Sequence, residues 1–241
     1  DLGRHRCHLA AHAPESCLIV IWTAITCAIY VGAAWLFRRS GHRLFCLPVL
    51  TGTLLLLLVL TLADTSYLAY AQATGFLRWL TGPAIIALAV PLYRQAALLR
   101  RLAWPIAVAL TAGCALSVSG TLLVGWMLDA PRDFVLSLST KSATMPIAMQ
   151  AVERAGGMAA IAATAVVATG VLGVLMAEPL FRVLGVQDPR VRSFALGLVS
   201  HAIGVARVIQ VYPQQLAFAA LAMSLNGICT ALLVAAVSSV F

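Results

Sequence analysis

Between Ser137 and Met149 a largely aliphatic chain places five hydroxyl side chains and one lysine, Lys141. An ammonium at the centre of a bilayer costs roughly 2.5–3.5 kcal/mol on insertion scales, so it needs a partner, water or an anionic ligand. On a helix Ser137, Lys141 and Thr144 fall at i, i+4 and i+7 on one stripe, with Ser142 next to the lysine. Pro146 has no N–H and would leave the Ser142 carbonyl without its helical donor. Broken backbone at membrane depth is tolerated only where it is buried in protein or lines a wet cavity. This predicts an anion-binding loop. The plain alternative is a surface loop with Lys141 in water.

Two other segments carry most of the remaining polarity within apolar surroundings. In Thr81–Tyr93, Gly82-Pro83 and Pro91 interrupt an apolar run; Ser200–Gln210 carries His201 and Arg207. Half-helix N-termini expose N–H groups and a positive dipole end, which suits a carboxylate. Lys141 and Arg207 would add full charges, and an arginine grips a carboxylate through two parallel hydrogen bonds. His201 would exchange a proton near neutral pH. His201 and Arg207 lie about 240° apart on a regular helix, so they converge only if that helix breaks, most easily at Gly204. The plain alternatives are a helix-packing histidine and an arginine snorkelling to the interface. Glu178 and Asn226 are expected to bond between helices. No Walker A, HExxH, GxSxG or dinucleotide-binding pattern occurs in a usable context. Nothing sets a nucleophile beside a base, so no catalytic residue, enzyme activity, cofactor or metal site is expected.

The elements that must position these residues are membrane helices. Apolar residues make up 62% of the chain and charged residues 10%, with a mean hydropathy of +0.97, against about 25% charged residues in soluble domains. The net charge of +8 is no nucleic-acid footprint, because the arginines cluster between apolar runs as membrane orientation requires. The six cysteines include no CxxC pair and read as small buried hydrophobes. Residues 1–16 form a polar tail with His5, His8 and His12, and residues 17–241 a single transmembrane domain.

The predicted fold is all-α: a polytopic transmembrane bundle with interrupted or re-entrant helices. Spans are expected at Cys17–Phe37, Leu47–Ala63, Leu102–Leu128, Met158–Leu180 and Gln214–Phe241, with Gly113, Gly120 and Gly125 allowing close packing. Basic clusters at Arg38–Arg43, Arg94–Arg101 and Arg182–Arg192 are placed in the cytoplasm and the N-terminus outside. A full crossing by Phe134–Gln150 would put the third cluster outside, against that rule; a re-entrant segment keeps it inside. Re-entrance also runs Gly197–Tyr212 opposite to Tyr67–Tyr93, the layout of an inverted repeat.

These three segments resemble the LrgB/CidB family, which includes bacterial LrgB-like membrane proteins and the plastidial glycolate/glycerate translocator. The family pattern is approximately LGPATVALAVPLY, PKSVTTPIAM and GTAxHAIGTAR. This chain reads Thr81-Gly-Pro-Ala-Ile-Ile-Ala-Leu-Ala-Val-Pro-Leu-Tyr93, Thr140-Lys-Ser-Ala-Thr-Met-Pro-Ile-Ala-Met149 and Gly197-Leu-Val-Ser-His-Ala-Ile-Gly-Val-Ala-Arg207. It departs from the pattern at Ile85, Thr140, Met145, Leu198 and Val205 and keeps Lys141, Ser142, Thr144, Pro146, His201 and Arg207. The resemblance implies an integral protein of the bacterial inner membrane with one of two functions. The first is transport of small monocarboxylates or 2-hydroxy acids of the glycolate, glycerate or pyruvate type, held by Lys141, Ser142, Thr144, Ser137, His201, Arg207, Gly82 and Pro83. The second is a holin/antiholin-like role in murein hydrolase export and lysis. Expected partners are the substrate anion, the bilayer, further copies in a homo-oligomer and a small LrgA/CidA-like membrane protein.

Overall fold

The computed structural model describes residues 15–41, 46 and 48–240. The three tail histidines and Arg43 lie outside the described residues, and Glu15 and Ser16 already belong to the first helix. The described residues form helices and no strand. Backbone contacts gather into two compact units, 1–87 and 88–241.

In the first unit α1 (Glu15–Arg39) packs on α2 (Pro48–Leu62) and α3 (Tyr67–Ala73), and α4 (Gly75–Ala87) follows. α1 is long and apolar enough to cross a membrane. The 15 residues of α2 give about 22 Å, short of a ~30 Å hydrocarbon core. α2 and α3 together qualify as a broken span, bent by 113°. Tyr70 ties α3 to α1 through the Thr26 hydroxyl at 3.1 Å and an edge-on contact with Trp22. The expected interruption at Gly82-Pro83 does not occur: α4 runs through both residues, and the turn before it falls at Thr74. A proline removes one helical bond, and a flanking apolar helix can continue past it.

The second unit begins with the short helices α5 (Ala89–Arg94) and α6 (Ala96–Arg101), followed by α7 (Ala103–Met127). Then come α8 (Arg132–Ser139), α9 (Met145–Arg154), α10 (Ala159–Val183), α11 (Pro189–Val211) and α12 (Leu216–Val240). Leu110 of α7, Phe194 of α11 and Phe218 and Ala222 of α12 form a core against which Leu98 and Leu102 pack.

α8 and α9 are a hairpin that enters and leaves at one end of this unit. Ser137 Oγ donates to the Asp133 carbonyl at 2.6 Å and accepts from Met158 N at 2.7 Å, so the start of α8 touches the start of α10. A Cβ on Gly157 would lie 3.1 Å from the Asp133 carbonyl oxygen. The segment 134–150 is therefore re-entrant, as the charge rule demanded. Its break falls at 140–144, one turn earlier than Pro146 suggests. Pro146 sits instead in the first turn of α9, where a missing N–H removes no helical bond.

α11 is the second hairpin. His201 has φ 39° and ψ −126°, a strained conformation for a non-glycine residue. A straight helix would carry residue 212 about 30 Å from residue 192, yet Arg192 Nη1 donates to the Tyr212 hydroxyl at 3.0 Å. Residues 189–200 run inward and 202–211 return to the same end. The break is at His201, not at Gly204. Gly204 is where the two limbs touch, since a Cβ there would lie 2.0 Å from the Leu196 carbonyl oxygen. Asp188 caps the entry by accepting from Arg190 N at 2.8 Å, and the Arg190 side-chain hydrogen bond holds its carboxyl below the ordinary carboxylate range. That contribution is present above the ordinary pKa and is lost as pH falls through the lowered one.

The two hairpins enter from opposite ends. One end carries Gln95, whose amide donates to the Gln214 carbonyl, with Arg182, Arg190 and Arg192. The other carries Asp129, Asp133 and Arg132, whose guanidinium reaches the Ser238 carbonyl at 3.1 Å. Single cysteines at Arg101 and Gln187 in a cysteine-free background should label from one face of the membrane, and one at Asp129 from the other. Labelling of Asp129 together with Gln187 would mean that α8–α9 crosses.

Candidate functional site

Lys141 follows the last turn of α8, at the tip of the first hairpin. Its ammonium donates to the Ser117 carbonyl of α7 at 3.0 Å and to the Thr121 hydroxyl. Thr121 and Ser117 lie 6 and 10 residues before the C-terminal end of α7, so the ammonium sits roughly 9–15 Å below that end, near the middle of the helix. Lys141 is half-buried, and its hydrogen bonds in the structure go to neutral oxygens. An open groove between α7 and α8 runs from Lys141, Ser117 and Thr121 past Val124 and Leu138 to Leu128 and Phe134, with Val124 and Leu128 themselves exposed.

The remaining expected residues are distributed around this tip. Ser142 is buried and shares a 2.7 Å hydrogen bond with Ser117 Oγ. Thr144 is the residue before α9, its side chain making no capping bond. The stripe of Ser137, Lys141 and Thr144 is not formed, because the helix ends between them; Ser137 faces the start of α10. His201 is 2% exposed at the tip of the second hairpin. Its ring fits against Gly170 of α10, where a Cβ would lie 2.7 Å from Cε1, and next to the Val166 backbone. His201 Nε2 and Ser200 Oγ are buried without a hydrogen-bond partner. Arg207, half-buried on the returning limb, interacts electrostatically with Tyr212 and Glu178. Lys141 thus bonds to α7 and His201 packs on α10, while Arg207 lies on the returning limb of α11. Gly82 and Pro83 are exposed on α4 of the first unit.

Asn226, expected to bond between helices, does so at the junction of both hairpins. Its amide nitrogen donates to the Ser142 carbonyl at 2.7 Å and the Leu198 carbonyl at 2.9 Å, and its Oδ1 accepts from Cys114 Sγ at 3.0 Å. Glu178 of α10 also bridges helices, through an ion pair with Arg192 of α11 at 3.5 Å beside one with Arg182 of its own helix at 3.4 Å. Among the expected packing glycines, Gly113 and Gly125 admit Leu198 and Val135, whereas nothing lies within 4 Å of a Cβ at Gly120. Ser117, Thr121 and Gly170 were not legible as site residues. The one available signal was Ser117 and Thr121 at i and i+4 in an aliphatic helix.

Comparison with known proteins fits this architecture. The sequence model of the LrgB-like family matches residues 26–240. The chain belongs to the LrgB-like family. Relatives of this LrgB-like protein include the uncharacterised YxaC of Bacillus subtilis, 28% identical over 89% of this chain and 93% of the relative. An uncharacterised protein of Haemophilus influenzae is 30% identical over 90% and 93%. The antiholin-like protein LrgB of Bacillus subtilis is 27% identical over 87% and 91%. No solved structure gives a significant match. Of the two functions the resemblance implied, the name of this last relative speaks for the antiholin-like one, and none of the three names mentions a carboxylate. The family and its apolar helices make this an integral membrane protein, with bacterial relatives.

Proposed function

We propose that this LrgB-like protein carries small monocarboxylate anions across the bacterial inner membrane. The observation that carries the reading is the Lys141 ammonium at the tip of a re-entrant hairpin, bonded to neutral oxygens of α7 near the middle of that helix. An ammonium has three donors and two meet these protein oxygens, which leaves one for an anion. Two hairpins that enter from opposite ends and meet at Asn226 support an inverted repeat of α7 and α8–α9 with α10 and α11, a different pairing from the expected one of Tyr67–Tyr93 with Gly197–Tyr212. The arginine-rich end is cytoplasmic by the positive-inside rule, and by the same rule the N-terminus of α1 is outside. Self-association and a small LrgA/CidA-like partner belong to this proposal.

The test is uptake or counterflow of labelled glycolate, glycerate and pyruvate in proteoliposomes of the purified chain. Lys141→Gln should remove uptake. Arg207→Lys should impair it nearly as much as Arg207→Ala, roughly ten- to hundred-fold in apparent affinity, since lysine keeps the charge but not the planar fork. Normal uptake by all the variants would remove the anion-site assignment.

The second reading, an antiholin-like regulator of murein hydrolase export and lysis, is favoured by the names of several relatives. A lysis pore is indifferent to arginine against lysine at residue 207. If the parent moves no monocarboxylate with or without a small partner, this second reading replaces the first.

A further inference from the structure

The arginine-rich end of the second unit holds two kinds of arginine. On α10 and α11, Arg182 and Arg192 meet Glu178 at 3.4 and 3.5 Å, and Arg190 meets Asp188 at 3.0 Å. On α5 and α6 such partners are missing. No Asp or Glu stands between Asp64 and Asp129, and among the described residues no ion pair involves Arg94, Arg100 or Arg101. All three are exposed. α6 is two-faced: Leu98 and Leu99 pack on the core of Leu110, Phe194 and Phe218, while Ala97, Arg100 and Arg101 are exposed. The Gln95 amide, donating to the Gln214 carbonyl at 2.6 Å, fixes the start of that helix. Only Leu102 separates α6 from α7, which is long and apolar enough to cross a membrane, so Arg100 and Arg101 sit at the rim of the hydrocarbon core. Tyr93 and Trp104, 85% and 78% exposed, flank them, and such rings settle at headgroup depth. An unmatched guanidinium at that depth meets phosphates, which it grips through parallel hydrogen bonds.

We infer that the exposed face of α5–α6 binds anionic phospholipid headgroups, with Arg94, Arg100 and Arg101 on the phosphates and Tyr93 and Trp104 in the interface beside them. Charge complementarity decides the occupant: three guanidiniums that the chain itself leaves unmatched, held at the depth where an anionic leaflet presents its phosphates. The inference holds whether the chain transports an anion or regulates lysis.

Binding of labelled phosphatidylglycerol and phosphatidylcholine to the full chain in detergent micelles tests this. The parent should prefer phosphatidylglycerol by about hundred-fold, since each arginine beside an anionic headgroup contributes roughly five-fold. Arg94→Gln, Arg100→Gln and Arg101→Gln should each lose about five-fold, and the triple variant the whole preference. These side chains are exposed and unpaired, so the variants should melt with the parent. Arg182→Gln and Arg190→Gln, at the same end but matched by carboxylates, should keep the preference, as should Arg132→Gln at the other end. Excess inorganic phosphate has no acyl chains to anchor it and should not displace the lipid. Equal binding of the two lipids by the parent would overturn the inference. So would a preference that survives the triple substitution, or one that falls as far with Arg182→Gln and Arg190→Gln, which would spread it over the whole basic end. Displacement of the lipid by phosphate would overturn it too, because the arginines would then be holding a soluble anion.

Discussion

Gly204→Ala should destabilise the protein severely, although alanine is the better helix former. Alanine in place of an interior helical glycine usually adds up to about 1 kcal/mol. Here the added Cβ would lie 2.0 Å from the Leu196 carbonyl oxygen and 2.7 Å from the Leu196 carbonyl carbon. Both are backbone atoms of the opposing limb, so no side chain can rotate away. Overpacking against side chains costs about 1–3 kcal/mol, and a clash with backbone belongs at or above the top of that range. The limbs must separate or the hairpin must open. Thermal melting of purified Gly204→Ala in detergent, beside Gly32→Ala and Gly120→Ala, checks this. The two controls meet nothing within 4 Å and should match or slightly exceed the parent. A melting temperature for Gly204→Ala equal to the controls would mean that α11 does not fold back.

Asn226→Leu and Asn226→Asp should each cost several kcal/mol, with the near-isosteric aspartate faring little better than leucine. Asn226 is 1% exposed and its three hydrogen bonds reach α7, the tip of the first hairpin and the inward limb of the second. Leucine leaves two buried carbonyls without donors, at about 1–3 kcal/mol for each group left unsatisfied. Aspartate keeps the shape but sets a carboxylate oxygen against those same carbonyls. Because the amide joins both hairpins, its loss should free them together: hydrogen exchange should rise at both 140–144 and 198–202. A rise at only one tip would show that Asn226 serves one hairpin alone.

Much of this protein could be read from sequence because the bilayer restricts what a chain can do. Aliphatic runs long enough for the hydrocarbon core located α1, α7, α10 and α12, since in lipid only a helix satisfies its own backbone. Arginine clusters argued for re-entrance of 134–150, because a full crossing would have split them between the two faces. The cost of an ammonium in hydrocarbon singled out Lys141 without any knowledge of its partners.

What tertiary structure alone decided is where the interrupted segments break and which residues they bring together. Proline and glycine mark where helical bonds are weak, and packing chooses among those places. The first break fell at 140–144, before Pro146, because there the Ser142 carbonyl finds Asn226 as its donor. The second fell at His201, with Gly204 supplying contact between the limbs rather than flexibility. Gly82-Pro83 did not break α4. Lys141 finds Ser117 and Thr121 at least 20 residues away, and His201 finds Gly170 on a different helix. Such pairings depend on side chains from separate helices reaching the same depth, and no spacing within one segment encodes that depth.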